Sequence, residues 1–113
     1  MDERFLVTSE KDLQGSVLET MRWQGWMCYH TFDSRRSAGG FPDLVAVRPP
    51  RLMFVEFKSE KGKLSSLQID WLDELVQAHD EVYVVRPSTQ DAFMKVVAYS
   101  GNMECHWRNV RGT

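Results

Sequence analysis

The run Gly40-Phe41-Pro42-Asp43-Leu44-Val45-Ala46-Val47, followed beyond Pro49-Pro50 by Leu52-Met53-Phe54-Val55-Glu56-Phe57-Lys58, decides the reading of this chain. Each half is a short apolar run bounded by turn residues, which predicts strands over Leu44–Val47 and Leu52–Lys58. Pro49-Pro50-Arg51 predicts a tight turn between them, so the two form a hairpin. Alternate strand residues share a face, so Glu56 and Lys58 point one way and Phe57 the other. Charges at the end of an apolar strand are costly unless paired or metal-bound. The hairpin brings Asp43 beside Glu56 and Lys58, so two carboxylates and an ammonium converge at one edge of the sheet. Oxygen donors of this kind suit a hard divalent cation, Mg²⁺ or Mn²⁺, with the Phe57 backbone carbonyl as a third ligand. Such a cation polarises a phosphodiester and activates water toward it, and Lys58 would orient that water or stabilise phosphoryl charge. The rival reading is a structural salt bridge at the strand end. The Gly-Phe-Pro-Asp turn, at hairpin distance from Glu56-Phe57-Lys58, favours the site.

Working outward, residues 1–8 read as a leader or a short edge strand. Ser9 is an N-cap, and Asp12 three residues on closes a loose capping box with it. Leu13, Val17 and Met21 mark one stripe of a helix that ends near Gly25. The aromatic run Trp26 to Phe32 predicts a strand, and Asp33 to Pro42 a loop. After a basic loop from Ser59 to Lys63, Ser65 or Ser66 caps a second helix. Its inner face carries Gln68, Trp71, Leu72, Leu75, Val76 and His79, so it covers a sheet rather than a membrane. Glu81 to Val85 predicts a buried strand. Ser88 to Tyr99 predicts a third helix with Phe93, Val96 and Val97 inward, and Cys105 to Trp107 a short terminal strand. The order is α-β-β-β-α-β-α, an α/β fold with a mixed sheet flanked by helices.

With 113 residues, 42% apolar and 27% charged, residues 1–113 predict a single globular domain. No apolar run is long enough to span a bilayer, and no membrane partner is expected. The charged start MDERFLVTSE does not read as a secretory signal, which predicts a cytoplasmic location. Cys28 and Cys105 are too few for a disulfide framework and read as reduced, partly buried thiols. Net charge is −2, yet Arg35 to Lys63 holds seven basic residues against three acidic ones. A local basic patch can hold a phosphate backbone in a mildly acidic protein. Arg35 and Arg36, beside the Gly39-Gly40 turn, and Lys61 and Lys63, in the loop leaving Lys58, are the candidate DNA contacts. Gly39 and Gly40 allow either close approach of DNA or merely a turn. Trp23, Trp26 and Trp71 read as core residues.

The segments Gly40–Val45, Val55–Ser65 and Gln68 with Trp71-Leu72 resemble the VRR-NUC family of the PD-(D/E)XK nuclease superfamily. The likeness is nearest to its small stand-alone members, often phage-encoded, and extends from Ser9 to about Pro87. It implies an α-β-β-β-α-β nuclease core similar to Holliday junction resolvases. It also implies a metal-dependent, structure-selective DNA endonuclease acting as a homodimer, in the host cytoplasm if phage-encoded. Asp43 and Glu56 match the metal-ligating acids, Lys58 the catalytic lysine, and Gln68 the glutamine before the Trp-Leu pair. A further acid is expected on the first helix. Glu10 lies on the stripe of Leu13, Gln14, Val17 and Met21 and is assigned there, whereas Glu19 faces out. Leu67 departs from the polar residue common before the glutamine. The expected function is Mg²⁺- or Mn²⁺-dependent hydrolysis of phosphodiester bonds in four-way junctions or other branched DNA. The alternatives are a same-fold nuclease for nicked, flapped, single-stranded or linear DNA, and a non-catalytic DNA-binding accessory module.

Overall fold

The computed structural model describes residues 2–31, 39–79 and 81–99. Its elements are α1 (Glu3–Val7), α2 (Glu10–Trp23), β1 (Met27–His30), β2 (Leu44–Arg48), β3 (Arg51–Phe57), α3 (Ser66–Ala78), β4 (Val82–Val85) and α4 (Gln90–Ala98). The sheet order is β1-β2-β3-β4. The first three strands are antiparallel, and β4 adds parallel to β3 through α3. This is the α/β fold with a mixed, helix-flanked sheet expected from the sequence, consistent with a PD-(D/E)XK nuclease core.

The first departure is at the N-terminus. The segment read as a leader or edge strand is the short helix α1, because the Asp2 side chain accepts from the Arg4 amide and caps it. The aromatic strand is also shorter than expected. Trp26 leaves the ladder to enter the core, where its indole N–H donates to the Val97 carbonyl at 3.2 Å. The last helix begins as a 3-10 turn at Pro87–Thr89. The predicted terminal strand, Cys105 included, lies outside the described residues.

The sheet has two dressed faces. Leu44, Ala46, Met53, Val55, Phe57, Tyr83 and Val85 pack against Leu13, Val17, Leu18 and Met21 of α2 and Phe93, Val96 and Val97 of α4. On the other face Leu72 of α3 closes over Val82 and Val84, with Phe54, Leu64, Leu75 and Val76 around them. The period-2 pattern of β3 assigns its odd residues to the first layer and its even residues to the second.

One pole is locked by buried charge. Arg51, only 3% exposed, makes a bidentate pair with Glu81 at 2.6 and 3.0 Å and donates to the Val96 and Tyr99 carbonyls. Arg48 donates to the Val97, Tyr99 and Gln24 carbonyls. Both guanidinium groups lie over the Trp26 ring, at 4.9 and 5.0 Å from its centroid. Together they donate to carbonyls at the end of α4, where the helix runs short of its own amides. The candidate site occupies the opposite pole.

Candidate active site

Asp43 enters β2 and Glu56 closes β3, and the register pairs Leu44 with Val55, so the two carboxylates meet at the same end of the sheet. That end is also the carboxyl end of the parallel β3–β4 pair, where open α/β sheets place ligands. The turn before Asp43 is held on both sides. Phe41 packs edge-to-face on Trp71 of α3 and on Phe54 of β3, with ring centroids 5.0 and 6.2 Å away. Pro42 is buried. Gly40 has φ +89°, and a Cβ there would stand 2.6 Å from the Leu67 backbone. The Gly39-Gly40 pair therefore serves a close approach to the start of α3, and Leu67 supplies the surface it rests on.

Each acid has a defined partner. The Phe57 amide donates to Asp43 Oδ2 at 2.8 Å. Gln68 Nε2 donates to Glu56 Oε2 at 3.0 Å. The same Gln68 side chain accepts from the Ser65 amide at 2.9 Å, while the Ser65 hydroxyl accepts from the Gln68 amide, a complete capping box. One residue thus starts α3 and ties it to Glu56. Lys58 Nζ stands 4.0 Å from Glu56 Oε2, with its side chain 12% exposed.

Glu56 is 2% exposed and faces a second carboxylate. Burial pushes its carboxyl up to about 9, aided by the charge of Asp43 and by the hydrogen bond between the two side chains; Lys58 pulls the other way. Burial also raises Asp43, opposed by the Phe57 amide and the hydrogen bond to Glu56. Both carboxyls are therefore pushed toward their protonated forms, Glu56 the more strongly. A strand-end salt bridge would instead keep both acids ionised beside the lysine. Hard carboxylate oxygens that repel one another and keep a proton to relieve the repulsion fit a divalent cation in that proton's place. The donor set therefore fits Mg²⁺ or Mn²⁺.

Glu10 is the first residue of α2 and is exposed. It acts on Asp43 and Glu56 only as a minor charge that raises both. Among the described residues, no three His, Cys, Asp or Glu side chains gather as a ready metal cluster. Glu19 is exposed, as expected. Lys61 and Lys63 are exposed on the loop after Lys58. Arg35 and Arg36 lie outside the described residues.

Two features were not foreseen. Arg86 Nη1 donates to the Ser59, Glu60 and Gly62 carbonyls at 2.7, 3.2 and 2.6 Å, and the Ser88 amide to Glu60 Oε1. The loop that presents Lys61 and Lys63 is therefore preformed by a cation at the end of β4. Its only sequence signal is a lone arginine closing an apolar strand. Trp23, expected in the core, is 85% exposed, because two residues past Met21 it stands about 200° around α2 from that stripe residue, on the helix's last turn.

The profile of the VRR-NUC domain matches residues 4–101. The chain belongs to the VRR-NUC family. No curated protein and no solved structure matches it significantly. As a VRR-NUC domain the chain is a nuclease domain, with the acid pair lying at the pole of the sheet described above. No helix among the described residues is long and apolar enough to cross a membrane.

Proposed function

We propose that this VRR-NUC domain is a Mg²⁺- or Mn²⁺-dependent endodeoxyribonuclease that acts on four-way junctions or other branched DNA. The observation that carries the reading is the half-buried Asp43 facing the buried Glu56, with Lys58 beside them. In this reading Asp43 and Glu56 hold the cation, with the Phe57 carbonyl and Glu10 as further ligands. When bound, the cation supplies charge to the phosphate and acidity to the attacking water.

The remaining work falls to the chain's own groups. The Phe57 amide orients Asp43, and Gln68 orients Glu56, so neither acid has to be ordered when substrate arrives. The Lys58 ammonium, partly shielded from solvent, orients the water or stabilises charge on the phosphoryl oxygens. Lys61 and Lys63 take the flanking phosphates from a loop that Arg86 has already shaped. Arg35 and Arg36, which lie outside the described residues, are proposed as further DNA contacts. The described residues bring one such acid pair per copy, so cutting both strands of a twofold junction calls for a homodimer.

The test is cleavage of a labelled four-way junction beside a linear duplex of the same sequence, in Mg²⁺, Mn²⁺ and EDTA, by wild type and Lys58→Ala. The expected result is metal-dependent cutting that favours the junction and is lost in the variant. Equal cutting of both DNAs removes the junction preference. Intact DNA under every condition moves a non-catalytic DNA-binding role to first place.

A further inference from the structure

A groove of about 850 Å³ runs along the outer flank of α2, where the helix overhangs the edge strand β1. Lys11, Leu18, Arg22 and Trp23 line its helix side, and His30 and Thr31 line the strand side. Its strand side adjoins Asp43, since the Thr31 amide donates to the Asp43 carbonyl at 3.0 Å. Gly15 and Gln14 add no charge to its middle.

We propose that this groove binds a single-stranded segment of DNA leaving the candidate active site, with Trp23 stacking on a base. The inference rests on the nuclease reading for its choice of DNA. Three features support it. The exposed Trp23 indole is a large, rigid apolar plane open to stacking. Lys11 and Arg22 lie about 16 Å apart along the helix, at 1.5 Å per residue, so positive charge stands at both ends of the groove. Neither makes an ion pair among the described residues. An aromatic plane between cations is the usual composition of a single-strand channel, since every base offers a stacking face. The groove is also narrow in its chemistry: Glu19 is its only acid, and it opposes a polyanion.

The probe is a short labelled oligothymidylate, with a blunt duplex in parallel, followed by fluorescence anisotropy in EDTA so that binding is read without cleavage. Trp23→Ala should weaken single-strand binding about tenfold, the scale of losing one stacked base. The Lys11→Gln, Arg22→Gln double variant should flatten the dependence of log affinity on log salt by about 1.4, from two phosphates at about 0.7 each. Glu19→Gln should tighten binding. Tyr29→Ala, which removes another exposed aromatic, on the other face of the sheet, serves as the control and should bind as wild type does. Unchanged affinity in Trp23→Ala, or an equal loss in Tyr29→Ala, overturns the proposal. If wild type cuts no DNA in metal while Trp23→Ala alone loses oligothymidylate, the nuclease reading falls and the groove stands. If wild type cuts and Trp23→Ala binds unchanged, the groove falls and the nuclease reading stands.

Discussion

Replacing Glu56 by Gln should stabilise the metal-free protein, and by more as pH rises. The ordinary carboxyl value of 4.5 moves up to about 9 at this position, chiefly through burial and then through the facing charge of Asp43. Below 4.5 the group is protonated in both folded and unfolded states, and the shift has no effect. Between 4.5 and 9 the unfolded chain releases the proton while the folded chain keeps it, so stability falls with pH across that window. At about pH 7 the loss is 2.5 pH units at 1.36 kcal/mol each, about 3 kcal/mol. The glutamine is isosteric and neutral. Its carbonyl can still accept from Gln68 Nε2 and its amide can donate to Asp43, so the variant loses the pH-dependent cost and keeps the contacts. For a domain of this size that corresponds to a rise in Tm on the order of 10 °C. The assay is thermal melting by circular dichroism in EDTA at about pH 5 and about pH 8, with the gap between variant and wild type widening at the higher pH. Added Mg²⁺ should raise the Tm of wild type at the higher pH and leave the variant unmoved. A variant less stable than wild type at both values, by a constant amount, would refute the reasoning and restore the structural salt bridge of Glu56 with Lys58.

Other expectations follow from the geometry. Arg51→Met leaves Glu81 buried without its cation and should cost about 3–5 kcal/mol in urea unfolding; the Arg51→Met, Glu81→Leu double variant should recover only part of it, because the Val96 and Tyr99 carbonyls lose a donor and the Tyr83 hydroxyl loses Glu81. Ser65→Ala removes the cap of α3 alone and should cost about 1 kcal/mol with cleavage little changed. Gln68→Ala removes the return half of the same cap and also frees Glu56, so its loss of cleavage at matched folded fraction should exceed that of Ser65→Ala about tenfold or more.

The parts of the fold that could be read in the sequence are those carried by local pattern. Period-2 alternation in LMFVEFK set the faces of β3, and Ser9 and Ser65 marked helix starts that the structure keeps. The convergence of Asp43, Glu56, Lys58 and Gln68 was legible because a hairpin of known register and one helical turn connect them. What the sequence left open was non-local. Helical angle sets the side of α2 on which Glu10 lies, but its exposure on the first turn depends on where the sheet ends. Trp23 shows the same limit from the other end of the helix: its side chain has no layer to enter, because β1 is the edge strand. Arg86 and the Arg51–Glu81 pair act across 24 to 30 residues of sequence, and no local motif announces them. The role of Gly40 was ambiguous for the same reason, since the backbone it must clear belongs to Leu67.

The central claim is that Asp43 and Glu56 hold a divalent cation in place of a proton. Calorimetric titration of Mn²⁺ into wild type, Asp43→Asn and Glu56→Gln, repeated in buffers of different ionisation enthalpy, reads both the binding and the proton. The account predicts one ion per chain in wild type with release of close to one proton at neutral pH, and binding lost in both variants. Binding of equal strength in Asp43→Asn or Glu56→Gln, or binding without proton release, would contradict it.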